Sequence, residues 1–165
     1  MTTLTVVTAE DLIEALELEP HPLEGGFFRE TYRAAEHAPG QDRSLATAIY
    51  YLLTPQNCST MHRLPTDEIW HFYRGDPLTL LLLHDDGTSR TAVLGPDVLG
   101  GQHVQFVVPA GTWMAAAVAE GGSWSLFGCT MAPGFSYEDY EHGDAAELAE
   151  RFPQEAALIA ELSRP

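Results

Sequence analysis

The stretch MHRLPTDEIWHFYRG, Met61 to Gly75, decides how this chain folds. Leu64-Pro65-Thr66-Asp67 is turn chemistry, and the runs on either side, CSTMHR and EIWHFYR, are short and rich in β-formers. On a strand, alternate side chains share a face, so Glu68, Trp70 and Phe72 point one way while Ile69, His71 and Tyr73 point the other. Two histidines and a glutamate on neighbouring strands raise the question of whether they form a metal site, an acid-base pair or packed polar groups.

The same signature recurs from Gly25 to about Met131. FFRETYRA, SLATAIYYLL, CSTMHR, EIWHFYR, LTLLLLH, SRTAVL, HVQFVVP, WMAAAVA and SWSLFGCTM are candidate strands, separated by turns such as Asp85-Asp86-Gly87 and Gly100-Gly101. No helical pattern intervenes, which argues against a parallel α/β fold and for an all-β sandwich or barrel over residues 25–132. Helices flank it. Thr8 with Asp11, followed by Leu12, Ile13 and Leu16, predicts a capped helix over residues 8–18, stopped by Pro20 and Pro22. Asp144 with Glu147 predicts a second helical segment over residues 144–162, which Pro153 divides.

The chain's 165 residues suit one domain over residues 1–165, large enough to bury a core without disulfides. With 24 acidic against 8 basic side chains, the formal charge of −16 repels nucleic acid and anionic membrane. An anionic ligand would need Arg29, Arg33, Arg43, Arg63 or Arg74. MTTLTVVTAE lacks a cationic leader, and Leu78–Leu83 is far shorter than the roughly 20 residues of a membrane span, so a cytoplasmic location is expected. Cys58 and Cys129 lack metal-ligand spacing and read as reduced, strand-embedded thiols.

If the loop 64–67 folds back, His62 lies beside Glu68 on one face, an arrangement in which a carboxylate orients an imidazole base. His71 is expected to pack on the opposite face, and Trp113 in the core. The segment GFSYEDYEHGDAAE reads as a solvated connection and helix start.

Glu68 and Gly75, with six residues between them, resemble the second half of the first cupin motif, and Pro109-Ala110-Gly111 resembles the Pro-x-Gly of the second. Over roughly residues 12–153, HRLPTDEIWHFYRGDPL, LGPDVLGGQHVQFVVPAGTWMAA and GCTMAPGFSYEDYE are similar to a cupin subgroup compared with deoxysugar-nucleotide 3,5-epimerases, near which a polyketide cyclase also falls. The resemblance implies a cupin-type double-stranded β-helix, a jelly-roll barrel. Metal-binding cupins carry three histidines and a glutamate where this chain has Thr60, His62, Glu68 and Met114. Two of four ligands remain, and thioether and hydroxyl do not replace imidazole at a divalent ion. No cofactor is therefore expected, a divalent metal being the rival.

The resulting expectation is an epimerase, isomerase or cyclase working without a redox metal. By the epimerase analogy, His62 is the base, Glu68 its partner and Tyr50 the acid, with Tyr51, Tyr73 and Tyr137 as other candidates. Trp70, Phe72, Gln105 and Met114 would line a pocket for a small organic ligand, a sugar nucleotide or polyketide-like molecule. A metal-dependent oxygenase or cyclase and a non-catalytic ligand-binding barrel are the alternatives. A homodimer is expected, with GGFFRETYRAA as a strand available for exchange.

Overall fold

A computed structural model describes residues 6–164. All nine expected strands form. They are β2 (Phe27–Arg33), β3 (Thr47–Leu53), β4 (Ser59–Arg63), β5 (Glu68–Gly75), β6 (Leu78–Leu83), β7 (Ser89–Leu94), β8 (Gln105–Val108), β9 (Trp113–Val118) and β10 (Ser125–Met131). Two-residue strands β1 (Glu19–Pro20) and β11 (Glu141–His142) extend the edges. A six-stranded sheet, ordered β1-β2-β3-β10-β5-β8, faces a five-stranded one, ordered β11-β4-β9-β6-β7. Every named strand pair is antiparallel, giving the jelly-roll sandwich that the strand pattern and the resemblance both imply.

The continuous leucine run of β6 follows from burial on both faces. Leu78, Leu80 and Leu82 enter the core between the sheets, and Leu81 and Leu83 pack outward with Leu148, Phe152, Ile159 and Leu162. These last four belong to α2 (Ala145–Arg151), its C-cap, and α3 (Ala156–Glu161) with its own C-cap; Pro153 starts a 3-10 turn between the helices. The Asp144 side chain caps α2 by accepting from the Glu147 N–H at 2.9 Å.

The six-stranded sheet is covered on its outer side by α1 (Ala9–Ala15), whose Leu12 and Ile13 pack with Leu52 and Leu126. Thr8 and Asp11 form the reciprocal capping box. Gly75, the motif glycine, has φ +97, and a Cβ there would lie 2.5 Å from the Trp124 ring, so both backbone and packing demand glycine. GGFFRETYRAA forms β2, which pairs with β3 of its own chain. Trp113 is core, with the Arg63 guanidinium 4.6 Å from its ring centroid.

Candidate functional site

The buried polar cluster is built around a segment that the strand pattern passed over. In residues 21–26, HPLEGG, Pro22 and Leu23 stay exposed while His21 and Glu24 are buried. The His21 N–H donates to Gly26 O and the Thr60 N–H donates to Glu24 O, each at 2.9 Å, while the Tyr51 hydroxyl donates to Gly25 O. Gly26 has φ +69, and a Cβ would sit 2.6 Å from Leu53, so a side chain there would push the segment out.

Glu24, 7% exposed, becomes the hub. Its Oε1 lies 3.5 Å from His62 Nε2 and 3.7 Å from His21 Nε2, and its Oε2 accepts from Ser59 Oγ at 3.0 Å. The ring protons follow from the partners. His21 Nδ1 accepts from the Glu24 and Leu23 N–H groups at 2.9 and 3.2 Å, so its proton sits on Nε2, toward the Glu24 carboxylate. His62 Nδ1 is 2.7 Å from Thr60 O, a group that only accepts, so Nδ1 carries hydrogen and Nε2 exchanges a proton opposite Glu24. Burial holds the His21 imidazole below its usual range, against the pull of Glu24, with His62 adding to the depression.

Glu68 is not the partner of His62. The strands β4 and β5 belong to different sheets, so the loop 64–67 crosses the sandwich instead of returning in plane. Glu68 and Trp70 share a face, as the alternation predicts, and both are buried. The Glu68 Oε1 accepts from Trp70 Nε1 at 2.6 Å. Burial, reinforced by the charge of Glu24, pushes its pKa up to about 8 despite that hydrogen bond. Those surroundings favour its protonated form.

Glu24 and Glu68 line one cavity of about 30 Å³ between the sheets, together with His21, Phe28, Phe135 and Tyr137. That volume holds about two waters, so only the reacting end of a ligand fits without displacing the rim. Aromatic rings form a continuous wall: His21 lies 4.5 Å from Phe28 and 6.4 Å from Tyr137, which lies 4.9 Å from Phe135. Cys129 also lines the cavity, its thiol pushed far up by burial and by the charges of Glu68 and Glu24.

Other expected site residues fall elsewhere. Tyr50 faces outward on β3 toward the α1 packing layer, edge-on to Tyr73 at 6.0 Å; its neighbour Tyr51 is the inward ring. Gln105 is exposed on β8, 3.4 Å from His71 Nδ1, outside the cavity. His71 faces outward as expected, with Nε2 2.8 Å from Thr130 Oγ1. Trp70, Phe72 and Met114 belong to the core beneath the cavity and do not line it; Trp70 stacks on Phe127 at 5.0 Å. Conversely, the acidic connection GFSYEDYEHGDAAE is more than a linker. It supplies Tyr137 to the cavity and lays Tyr140 over His62, with ring centroids 5.3 Å apart. The signal for Glu24 and His21 was the spacing His-x-x-Glu ahead of paired glycines, where a turn carries side chains inward.

The residues at the cupin metal positions do not fit a divalent ion: Met114, a thioether, is sealed in the core, Thr60 offers only a buried hydroxyl, and one Glu68 oxygen is held by Trp70. His21 cannot substitute, because its Nε2 carries hydrogen while Nδ1 faces two donors. Among the described residues no group of three or more His, Cys, Asp or Glu side chains is arranged to hold a metal ion. Also among them, no helix is long and apolar enough to cross a membrane.

Comparison with solved structures finds a protein of Shewanella oneidensis, 41% identical over 97% of this chain and 99% of that one, with a TM-score of 0.89. A hypothetical protein of Leishmania major is 36% identical over 96% of this chain and all of the other, with a TM-score of 0.87. An uncharacterised protein of Saccharomyces cerevisiae is 26% identical over 172 residues, 93% of this chain and 85% of the relative. The family model described as "Cupin superfamily (DUF985)" matches residues 10–143, and with these relatives it establishes that the chain belongs to that family of cupins.

Proposed function

We propose that the protein catalyses proton transfer at a carbon next to a carbonyl in a small organic molecule, as an epimerase, isomerase or cyclase. One observation carries this reading: two carboxyl groups, Glu24 and Glu68, line one narrow cavity in unlike surroundings. Glu24 accepts from Ser59 and faces the Nε2–H of His21, the surroundings of an anion, with His62 Nε2 3.5 Å away to take up a proton. At Glu68, burial and the charge of Glu24 favour the neutral form. Paired groups whose surroundings drive them to different protonation states divide acid and base roles between them.

In the forward step, the Glu24 carboxylate removes the proton from the carbon and the C–H electron pair becomes the enol double bond. Glu68 gives its proton to the carbonyl oxygen, from the carboxyl oxygen that Trp70 does not hold. The proton on Glu24 is shared with His62 Nε2, 3.5 Å away. His62 is thus a positioning and proton-holding residue, and Tyr137 borders the space on the cavity's aromatic side. Return of a proton to the same or the opposite face gives exchange or inversion.

Deuterium wash-in tests the proposal. Hydroxyacetone and acetylacetone, incubated with the protein in D2O, should lose their carbon-bound proton signals in ¹H NMR faster than in buffer. Glu24→Gln and Glu68→Gln should each abolish the acceleration. If both probes exchange at the buffer rate, or if Glu24→Gln exchanges as fast as the wild type, the reading is wrong.

A further inference from the structure

Tyr137 borders three spaces at once. It lines the inner cavity of about 30 Å³ and two open surface grooves of about 640 and 440 Å³, and it alone among the described residues lines all three. At 49% exposed, it stands between the cavity and solvent.

The segment that carries Tyr137 is fastened at both ends and loose between them. At its start, the Gly134 N–H donates to Ser44 O at 2.8 Å, the Phe135 N–H donates to Thr47 Oγ1 at 2.9 Å, and Phe135 O accepts from Arg33 at 3.0 Å. At its end, β11 pairs with β4, Arg63 forks onto Glu141 at 2.6 and 2.9 Å, and the Gly143 N–H donates to Met61 O at 2.8 Å. Between these anchors Tyr137–Asp139 is a 3-10 turn. Among the described residues, the backbone of Ser136–Tyr140 bonds only to itself, Asp139 N–H to Ser136 O and Tyr140 N–H to Tyr137 O. Ring contacts hold the turn down, Tyr140 on His62 and Tyr137 against Phe135, together with one ion pair, Arg43 with Asp139, whose side chains are 16% and 25% exposed. The same guanidinium donates to Gly134 O at 3.2 Å, on the anchored side.

The other walls are stiffer. Phe28, Glu30, Ile49, Glu68, Cys129 and Met131 all sit on strands laddered within the six-stranded sheet. Displacing one of them breaks ladder hydrogen bonds, whereas lifting Tyr137 breaks no backbone bond to the barrel. A ligand larger than about two waters enters by the easier displacement. We propose that Ser136–Tyr140 is a hinged strap with Tyr137 as its gate, opening between the anchors at Phe135 and Glu141 to join the cavity to the grooves, and that Arg43–Asp139 is its latch. This rests on the reading that ligands react in the inner cavity, and not on which reaction they undergo there.

The protein carries its own reporter. Cys129 lines the cavity and is 5% exposed; Cys58 is equally buried but belongs to the cluster of Leu148 and Ile159, outside the cavity. The full chain is incubated with iodoacetamide over a series of sub-denaturing urea concentrations, and each cysteine is quantified by peptide mass spectrometry. Cys129 should label through local opening, at a rate nearly independent of urea, whereas global unfolding rises steeply with it. Asp139→Asn should speed Cys129 labelling about fivefold, the effect of losing a partly exposed ion pair, and Tyr137→Ala should speed it further. Both should leave Cys58 unchanged.

Cys129 labelling with the urea dependence of global unfolding, labelling of both variants at the wild-type rate, or equal acceleration of the two thiols each overturns the proposal. The two readings fail separately: deuterium wash-in with a sealed Cys129 removes the strap alone, and strap opening without wash-in removes the enolisation alone.

Discussion

Replacing Glu68 by glutamine should change how stability depends on pH, by an amount fixed by its burial. The carboxyl group titrates near 4.5 when exposed and near 8 in the folded protein, because burial and the Glu24 charge oppose its ionisation. Below pH 4.5 it is protonated in both states and costs nothing. Above that, the unfolded chain releases a proton that the native protein keeps, so wild-type stability falls by about 1.4 kcal/mol per pH unit up to about pH 8, where the slope ends. Over the whole window the loss is about 5 kcal/mol, of the order of a small domain's entire stability. Glutamine keeps an oxygen for the Trp70 N–H and cannot ionise. The assay is urea unfolding followed by tryptophan fluorescence from pH 4.5 to 9 on both proteins. The difference between them cancels titrations common to both, such as those of exposed carboxylates. Stability of the variant relative to wild type should rise steadily with pH to a plateau above pH 8. If the two curves run parallel, Glu68 is ionised in the native protein and the acid role falls with it.

Glu24→Ala should destabilise by about 3 kcal/mol, the cost of stripping a buried network of its shared acceptor, whereas Glu24→Gln, which keeps an oxygen for Ser59, should lose less; urea midpoints at pH 7 give both. Gly75→Ala forces a Cβ against Trp124 at positive φ and should cost about 2–4 kcal/mol, read as a lowered Tm, while Gly87→Ala, with nothing within 4 Å of the added Cβ, should pay only the backbone part.

The barrel was legible because its signals are local: apolar runs bounded by Pro, Gly and Asp turns, and a Thr-Asp capping pair. That Glu68 and Trp70 share one face of β5 was legible from strand geometry alone, and burial shows that face to be the inner one. Strand β3 gave no such phase. Ala48-Ile49-Tyr50-Tyr51-Leu52-Leu53 is apolar on both sides because α1 buries one face and the core the other, so sequence could not say which tyrosine turns inward. The pairing of Glu24 with His62 was not legible for another reason, although the His-x-x-Glu-Gly-Gly spacing marks the turn itself. Glu24 arrives from an irregular segment 38 positions upstream, and no periodicity links a turn residue to a strand it meets only in space.

The hub of the site thus comes from a short turn closed on itself by His21 and Gly26 and clipped onto the scaffold by two contacts to its backbone, from Thr60 to Glu24 O and from Tyr51 to Gly25 O. The buried leucines and phenylalanines of the core between the sheets come from the strands and the loop 64–67, and none from residues 21–26. The polar groups of the cavity and the apolar mass that folds the barrel are therefore supplied by different parts of the chain, and substitutions at Pro22 or Leu23, both exposed, can alter the turn without touching that mass.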